Sequence, residues 1–270
     1  MATCTGLAGQ TLDSQCLQKV DRVGQGLGGV TWRIDIQDKP YILKQISYTP
    51  ASIAEADRVV KLGCHANVAC YHDYFRLDNF QQQPQSLGLL IEYVGGQTLA
   101  EFIQQRVAQQ SSVSTEELVR LLHTGLQALA WLHSNNLAHR DVKPANIIVS
   151  ASGVKLVDLG LACYDCSTTP VSTANYMAPE QLRALINGTP LVDHRPGDVW
   201  SLGLSLMELV SLAPIYTAPP RADLYCEMQR KLVISDQRPA VQVLASMLAI
   251  DPATRPTAQQ LLQNPLFAKV

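Results

Sequence analysis

The amino-acid sequence predicts an α+β fold in which a small, mainly antiparallel sheet precedes a larger, mainly helical part. The first ninety or so residues alternate short apolar runs with turns rich in glycine and proline, which is typical of strands joined by hairpins. From Ser114 onward, a capping pattern opens a segment whose apolar residues recur at helical spacing. A chain of 270 residues is long enough to bury a substantial core.

The first three predicted strands lie within residues 20–46, and a glycine-rich turn joins the first two. Glycines let backbone amides approach an anion with no Cβ in the way, so Gly24, Gly26 and Gly29 could lie over phosphate groups. Such a pattern alone is common in hairpins. Lys44 on the third strand strengthens the interpretation, because it supplies a cation fifteen residues after Gly29.

Three further elements follow along the chain. Residues 51–62 have helical composition and one apolar stripe, which predicts a helix. Residues 87–96 form an apolar run that ends in glycines, which predicts a buried strand. Ser114 and Glu117 have the spacing of a capping box, so we expect the long helix to begin there.

The composition excludes several classes of function. The formal net charge is −2, the isoelectric point is near 6.3, and no basic run occurs. This charge balance provides no electrostatic footprint for nucleic acid or for an anionic membrane, so we expect neither partner. The first residues lack the pattern of a signal peptide, and no long apolar stretch occurs. We therefore expect a soluble, cytoplasmic protein, with access to the nucleus left open and the oligomeric state unknown.

The seven cysteines are odd in number and scattered, which is not the pattern of a disulfide framework in a chain of this length. We therefore expect reduced thiols. Two alternatives stay open: the cysteines and histidines of residues 64–72 could form a zinc site, and Cys163 with Cys166 could form a redox pair. For residues 64–72 we favour buried thiols and a structural histidine.

The most informative segment runs from His139 to Asn146 and is followed by Asp158. Phosphoryl transfer depends on positioning a nucleophile and on neutralising charge at the phosphate oxygens. Asp141 would orient a substrate hydroxyl and accept its proton, and Lys143 would lie near the transferred phosphate. Asn146 and Asp158 would hold Mg²⁺, which prefers oxygen ligands.

With H-R-D-V-K-P-A-N at residues 139–146 and D-L-G at residues 158–160, the chain resembles the eukaryotic-type protein kinases of the serine/threonine branch. The resemblance extends over practically the whole chain, from Val20 to Phe267. It implies ATP and Mg²⁺ as cofactors. It also implies transfer of the γ-phosphoryl group to a serine or threonine hydroxyl of a protein substrate.

The resemblance implies a two-lobed fold in a single domain. Residues 1–19 would be an N-terminal extension, residues 20–93 the small lobe and residues 94–270 the large lobe. The linker before the helix of residues 51–62 is shorter than is usual in the family, so we expect a short helix.

Several small-lobe residues receive roles from the resemblance. Lys44 would grip the α- and β-phosphates of ATP, and Glu55 would be its ion-pair partner, with Asp57 as the competing candidate. Main-chain groups of Glu92 and Val94 would bind the adenine edge.

In the large lobe, the resemblance implies three structural residues. Glu180 and Arg255 would form a buried ion pair, and removal of either partner would leave an uncompensated charge. Asp198 would accept hydrogen bonds from backbone amides of the catalytic loop.

Regulation is implied at the segment that follows Asp158. A buried guanidinium at Arg140, beside a catalytic carboxylate, usually requires an anion from this segment. Among the serines and threonines of residues 167–172, the family pattern indicates Thr169 as the phosphorylated position. Thr173 resembles the threonine that hydrogen-bonds the catalytic aspartate and lysine, so we expect it to stay unmodified.

The chain departs from the family pattern at Leu159, Thr31 and Ile42. The last two would line the adenine ceiling, where added volume or a hydroxyl could weaken ATP binding. A pseudokinase that acts as a binding module therefore remains an alternative. A small-molecule phosphotransferase is disfavoured by the peptide-docking pattern of residues 172–180.

Overall fold

The computed structural model describes residues 11–12, 18–26, 29–80, 83–164, 167–215 and 236–268. Residue contacts divide the chain into two units, Met1–Val94 and Gly95–Val270. The division falls one residue after the lobe boundary predicted from the sequence. The predicted α+β class is confirmed, with antiparallel strands concentrated in the first unit and helices in the second.

The first unit contains a six-stranded sheet and a helix within its described residues. Its elements are β1 (Thr11–Leu12), β2 (Gln18–Gly26), β3 (Gly29–Ile36), β4 (Lys39–Ser47), α1 (Pro50–Lys61), β5 (Tyr71–Phe80) and β6 (Gln83–Glu92). The strand order is β1-β5-β6-β4-β3-β2, and every pair is antiparallel except β1 with β5.

Alternating apolar side chains of the sheet form the core of the first unit. The core residues are Ile34, Leu43, Phe75, Leu77 and Phe80, each less than 5% exposed. Because side chains alternate between the two faces of a strand, Lys44 projects from the face of β4 opposite to that of Leu43. Burial of Leu43 in the core therefore determines the face of the sheet from which Lys44 projects.

The β2–β3 turn has one position that requires glycine. Gly29 has a φ of 119°, and a Cβ at this position would collide with the carbonyl oxygen of Gln45. Gly26 pairs with Gly29 where the strands end, and Gly24 has open space where a Cβ would lie. The backbone at Gly24 is therefore not covered by neighbouring atoms where a side chain would lie.

Helix α1 begins almost directly after β4. Thr49 is its N-cap, and its hydroxyl accepts a hydrogen bond from the Ser52 amide while the Ser52 hydroxyl accepts one from the Thr49 amide. This reciprocal cap fixes the start of a helix of 12 residues. The helix is as short as the sequence indicated.

The second unit is mainly helical and carries small sheets. Its elements are β7 (Gln97–Thr98), α2 (Leu99–Ala108), α3 (Thr115–Ser134), β8 (Leu137–Ala138), β9 (Ile147–Ser150), β10 (Gly153–Leu156), β11 (Cys163–Tyr164), α4 (Pro179–Asn187), α5 (Arg195–Ser211), α6 (Pro239–Met247) and α7 (Ala258–Leu261). Strands β7, β9 and β10 form one sheet, and β8 pairs with β11. In the described parts of the chain, no helix is long and apolar enough to span a membrane.

Helix α3 begins where the sequence predicts, but its cap is different. The Ser114 hydroxyl accepts a hydrogen bond from the Glu117 amide, as an N-cap does. The Glu117 carboxylate does not return to the Ser114 amide. It binds the Arg106 guanidinium of α2 instead, at 2.7 and 2.9 Å. The predicted capping box is therefore only half formed, because a charged partner from another helix takes the carboxylate.

Candidate active site

Asp198, in the first turn of α5, holds the loop that carries the predicted catalytic residues. This carboxylate is 1% exposed and accepts hydrogen bonds from the backbone amides of His139 and Arg140, both at 2.8 Å. His133 at the end of α3 contacts the same carboxylate at 2.9 Å. Arg140 has a φ of 68°, a conformation that non-glycine residues rarely adopt. The buried carboxylate thus stabilises a strained turn just before Asp141.

Asp141 lies at the centre of a connected polar network. One carboxylate oxygen accepts a hydrogen bond from the Thr173 hydroxyl at 3.0 Å. The other lies 2.8 Å from the Lys143 ammonium and 2.9 Å from the Asn146 amide nitrogen. Lys143 also donates to the Thr173 hydroxyl at 2.8 Å. Four side chains predicted from the sequence are therefore brought together, and each fixes the orientation of another.

The β9–β10 hairpin positions the two predicted magnesium ligands. Asn146 immediately precedes β9 and Asp158 lies two residues after β10, while the Val157 amide donates to the Asn146 carbonyl at 3.0 Å. The side-chain nitrogen of Asn146 donates twice to Asp141, and its amide oxygen has no partner among the described residues. Carboxylate and amide oxygens are the donor atoms that Mg²⁺ prefers, so the residues fit this ion.

Lys44 and Glu55 lie in the first unit, on β4 and α1. Lys44 is 7% exposed on β4, paired in the sheet with Thr31 and Leu89. Glu55 is exposed on α1, and its side chain makes no ion pair or hydrogen bond within the described residues. Partial desolvation raises the pKa of the Glu55 carboxyl, and the charges of Lys44 and then Arg58 oppose this rise.

The predicted Lys44–Glu55 ion pair is therefore not formed in this structure. Helix α1 starts right after β4 and buries Ala56 and Val59, while Glu55 remains exposed without a bond to the lysine. Asp57, the competing candidate, is not the partner of Lys44 in this structure either. It binds Lys61 at 2.7 Å and accepts a hydrogen bond from the Tyr74 hydroxyl at 3.4 Å.

The segment predicted to bind adenine lies at the end of β6. The Glu92 amide donates to the Cys70 carbonyl at 2.8 Å, and the Glu92 carboxylate accepts from the Cys70 amide at 3.0 Å. Glu92 also pairs with Tyr41 of β4, and Ile91 beside it is buried. Val94 is partly buried and follows the strand. Glu92 is thus held in the extended backbone of β6, and Val94 lies two residues beyond it, outside the strand.

Arg140 contacts the segment predicted to be regulatory. Its guanidinium donates to the Thr169 carbonyl at 3.4 Å, and the residue is 8% exposed. Burial lowers the pKa of this guanidinium, and the charge of Asp198 opposes the shift. A buried cation near Thr169 is the environment in which an added phosphate would be stabilised.

Glu180 and Arg255 form the ion pair that the resemblance implied. The two guanidinium nitrogens lie 2.7 and 3.0 Å from the two carboxylate oxygens. Arg255 is buried, donates to the carbonyls of Ala249 and Pro196, and stacks over the Trp200 ring at 5.1 Å. Every side of the guanidinium is therefore satisfied.

The structure adds a pair that the sequence reasoning missed. The Tyr176 hydroxyl donates to the Glu208 carboxylate at 3.0 Å, and Glu208 also accepts from the Ile215 amide. Burial and the adjacent carboxylate raise the pKa of Tyr176, and burial raises that of Glu208. A carboxylate inside the apolar helix α5 was the available signal, because such a residue usually has a specific partner.

The expectation of reduced thiols is wrong at two places in this structure. Cys64 and Cys70 are joined in a disulfide, because the turn between α1 and β5 brings their Cα atoms to 4.8 Å. Cys163 on β11 is also disulfide-bonded. Cys166, its predicted redox partner, lies outside the described residues.

Comparisons with known proteins agree with this fold and geometry. A family model described as protein kinase domain matches residues 17–267. A probable serine/threonine-protein kinase of Dictyostelium discoideum is 34% identical over 197 residues, covering 67% of this chain and 36% of that protein. The serine/threonine-protein kinase Nek6 of Oryza sativa subsp. japonica is 29% identical over 258 residues, covering 91% of this chain and 47% of its own length. The human serine/threonine-protein kinase Nek2 is 29% identical over 219 residues, covering 76% and 47%.

The chain belongs to the protein kinase family. It spans less than half the length of each of the three relatives.

Proposed function

We propose that the protein is an ATP-dependent serine/threonine protein kinase. The observation that carries the proposal is the network in which Asp141, Lys143, Asn146 and Thr173 orient one another. These groups are the ones that phosphoryl transfer to a hydroxyl requires, and each is held in place by contacts with another. The names of the relatives and the lysine at position 143 favour serine and threonine as acceptors.

Each group in the network receives a defined role. Asp141 accepts the proton of the substrate hydroxyl and orients its oxygen. Lys143 compensates negative charge on the reacting phosphate, and its contact with Thr173 keeps it near Asp141. Thr173 hydrogen-bonds the Asp141 carboxylate. The proposed peptide-docking segment of residues 172–180 is thereby positioned relative to the base.

Nucleotide and metal binding are assigned to residues of both units. Asn146 and Asp158 would hold Mg²⁺ through their oxygens, Lys44 would bind phosphates of ATP, and backbone groups of Glu92 and Val94 would hold adenine. When bound, ATP supplies the transferred phosphoryl group, and Mg²⁺ compensates the negative charge of the phosphates. We assign the backbone of the β2–β3 turn, around Gly24, Gly26 and Gly29, to the same phosphates.

Glu55 is proposed to become the partner of Lys44 in the active state. Its carboxylate is free to move, since its side chain makes no bond within the described residues. A shift of the short helix α1 would bring it to the lysine, and such helix shifts are a common switching device.

Phosphorylation of Thr169 is proposed as a second activating event. A phosphate at this position would pair with the buried Arg140 and order the segment before Thr173. We expect active protein to carry the phosphate, and Thr169→Ala to lower activity severalfold while Thr168→Ala, its neighbour, does not. Mass spectrometry and steady-state rates measure both, and full activity of Thr169→Ala would show that the segment is ordered without modification.

The proposed activity is tested with a degenerate peptide array and labelled ATP. Matched peptides that carry serine, threonine or tyrosine as acceptor identify the class of hydroxyl. We expect label on serine and threonine peptides and background label on tyrosine peptides. Label on none of the peptides would contradict the proposal.

A pseudokinase is the second candidate, favoured by the unpaired Glu55 and by Thr31 and Ile42 at the predicted adenine ceiling. Thermal unfolding with ATP, with and without Mg²⁺, separates the two functions, because a ligand that binds the folded state raises Tm. A kinase shows a Tm increase that requires ATP and Mg²⁺ together. A pseudokinase with a blocked site shows none.

A further inference from the structure

A cluster of side chains of the types that ligate metals lies in the first unit, apart from all of the predicted kinase residues except Glu92. The sulfur atoms of Cys64 and Cys70 and a ring nitrogen of His72 lie within 4.8 Å of one another. Within the described part of the chain, no other group of three cysteine, histidine or carboxylate side chains is placed in this way.

The backbone on both sides of the cluster is built to bring these residues together. Gly63 has a φ of 82°, which turns the chain sharply after α1 and directs Cys64 towards β5. Both the amide and the carbonyl group of the Cys70 backbone are hydrogen-bonded to Glu92. Both cysteines are therefore placed by backbone geometry as well as by the bond between them.

His72 is directed to the cluster by a β-bulge. Tyr71 and Asp73 pair with the consecutive residues Ile91 and Leu90, so His72 is the extra residue of the bulge. Bulges re-aim side chains, and here the Nδ1 atom lies 3.7 Å from the Cys70 sulfur. The His72 ring packs edge-on against Tyr41 at 5.6 Å, which restricts its rotation.

The distances and ligand types suit one metal. Zinc binds thiolate sulfur at about 2.3 Å and imidazole nitrogen at about 2.0 Å, so two such ligands on a tetrahedral ion lie about 3.6 Å apart. Cys70 and His72 are already at this separation. Soft thiolates select zinc over magnesium or calcium, and Cys64 and His72 are exposed, which gives the ion a path from solvent.

We propose that Cys64, Cys70 and His72 form a zinc site in the reduced protein, with water as the fourth ligand. The disulfide in this structure is the oxidised form of the same site. Reduction by a phosphine or a dithiol adds two electrons and two protons to the disulfide and yields two thiols. Zinc then replaces the two thiol protons, which are released to solvent.

His65 is not a ligand of this site. Its Nδ1 accepts a hydrogen bond from the Asn67 amide at 3.2 Å, which turns the ring back onto its own turn. The ligand set thus ends at three side chains, and zinc would tie the end of α1 to the start of β5.

Metal content of the full chain tests the site. The protein is reduced with a phosphine, its thiols are titrated, Zn²⁺ is added in excess, and unbound metal is removed by gel filtration. We expect about one zinc ion per chain, because a preformed thiolate site retains the ion. Cys64→Ser, Cys70→Ser and His72→Asn should each retain less than about a tenth of that amount. With Co²⁺ alone, the wild type should show the visible absorption of tetrahedral sulfur-ligated cobalt, and His72→Asn should lose it.

Cys16→Ser and His123→Asn are the matched controls and should keep full zinc. The melting temperature in chelator shows whether each variant folds, and zinc should raise Tm only in the wild type and the controls. The proposal is overturned if the reduced wild type holds no zinc, or if His72→Asn or either cysteine variant holds as much as the wild type. Metal content does not depend on phosphoryl transfer, so either result leaves the proposed kinase activity unaffected.

Discussion

Two regions carry the predicted catalytic side chains, and they differ in how firmly those side chains are held. Around Asp141 in the second unit, every charged group has a partner at hydrogen-bond distance, and Asp198 anchors the backbone beneath it. In the first unit, Lys44 is buried on a strand, while Glu55 is exposed on a short helix without an ion-pair partner in the described residues.

This difference distinguishes the groups that would carry out phosphoryl transfer from the group that would regulate it. A network whose members orient one another supplies preorganised electrostatics, which is usually the largest single contribution to catalysis. In the proposed kinase, a carboxylate that moves to reach Lys44 would make activity depend on the position of α1. In the proposed kinase, the groups around Asp141 would determine what reaction is possible, and the position of Glu55 would determine when it proceeds.

The scaffold beneath the catalytic loop should show the largest effect on stability. Arg255→Met leaves Glu180 as an unpaired, mostly buried carboxylate, which should lower the free energy of unfolding by about 3 to 5 kcal/mol. Denaturant unfolding measures this. Arg183→Met, at an exposed position on the same helix as Glu180, is the control and should change stability by less than about 0.5 kcal/mol. A similarly small change in the free energy of unfolding for Arg255→Met would show that the Glu180–Arg255 pair does not stabilise the fold.

Lys44→Met and Asp158→Asn test whether both units supply groups that act on bound nucleotide. Each should lower turnover by at least about 10²-fold, since each removes a group that stabilises developing charge. Unfolding temperatures should stay near the wild-type value. If either variant keeps more than about a tenth of wild-type turnover, a change below about 1.4 kcal/mol in barrier, its assigned role is wrong.

Glu55→Gln sharpens the comparison between the two regions. If Glu55 pairs with Lys44 only in the active state, kcat should fall about tenfold, or about 1.4 kcal/mol, with no change in Tm. Asp57→Asn is the matched control two residues away, because it breaks the contacts with Lys61 and Tyr74 and should leave kcat unchanged. Equal kcat for Glu55→Gln and the wild type would remove α1 from the control of activity.

The sequence predicted the parts of the site that short spacing determines. Asp141, Lys143 and Asn146 lie within six residues, so their proximity follows from the motif, and the hairpin of β9 and β10 brings Val157, next to Asp158, back to Asn146. Glu55 could not be oriented from the sequence, because the rotation of a helix of 12 residues depends on which side chains the sheet buries.

Long-range pairings were the other limit. Glu117 has the spacing of a capping box, yet Arg106 from the preceding helix competes for its carboxylate. Tyr176 and Glu208 are 32 residues apart, and no local pattern connects them. The Cys64–Cys70 bond depends on a turn geometry that an odd, scattered set of cysteines does not suggest.

The single-turnover rate of Asp141→Asn, at saturating ATP and peptide, tests the central claim most directly. The substitution keeps the size of the side chain and removes its ability to accept a proton. We predict a rate about 10² to 10⁴-fold below that of the wild type, the usual contribution of a positioned base, with unchanged affinity for ATP. A variant that transfers the phosphoryl group at more than about a tenth of the wild-type rate would contradict the claim that the network around Asp141 is the catalytic centre.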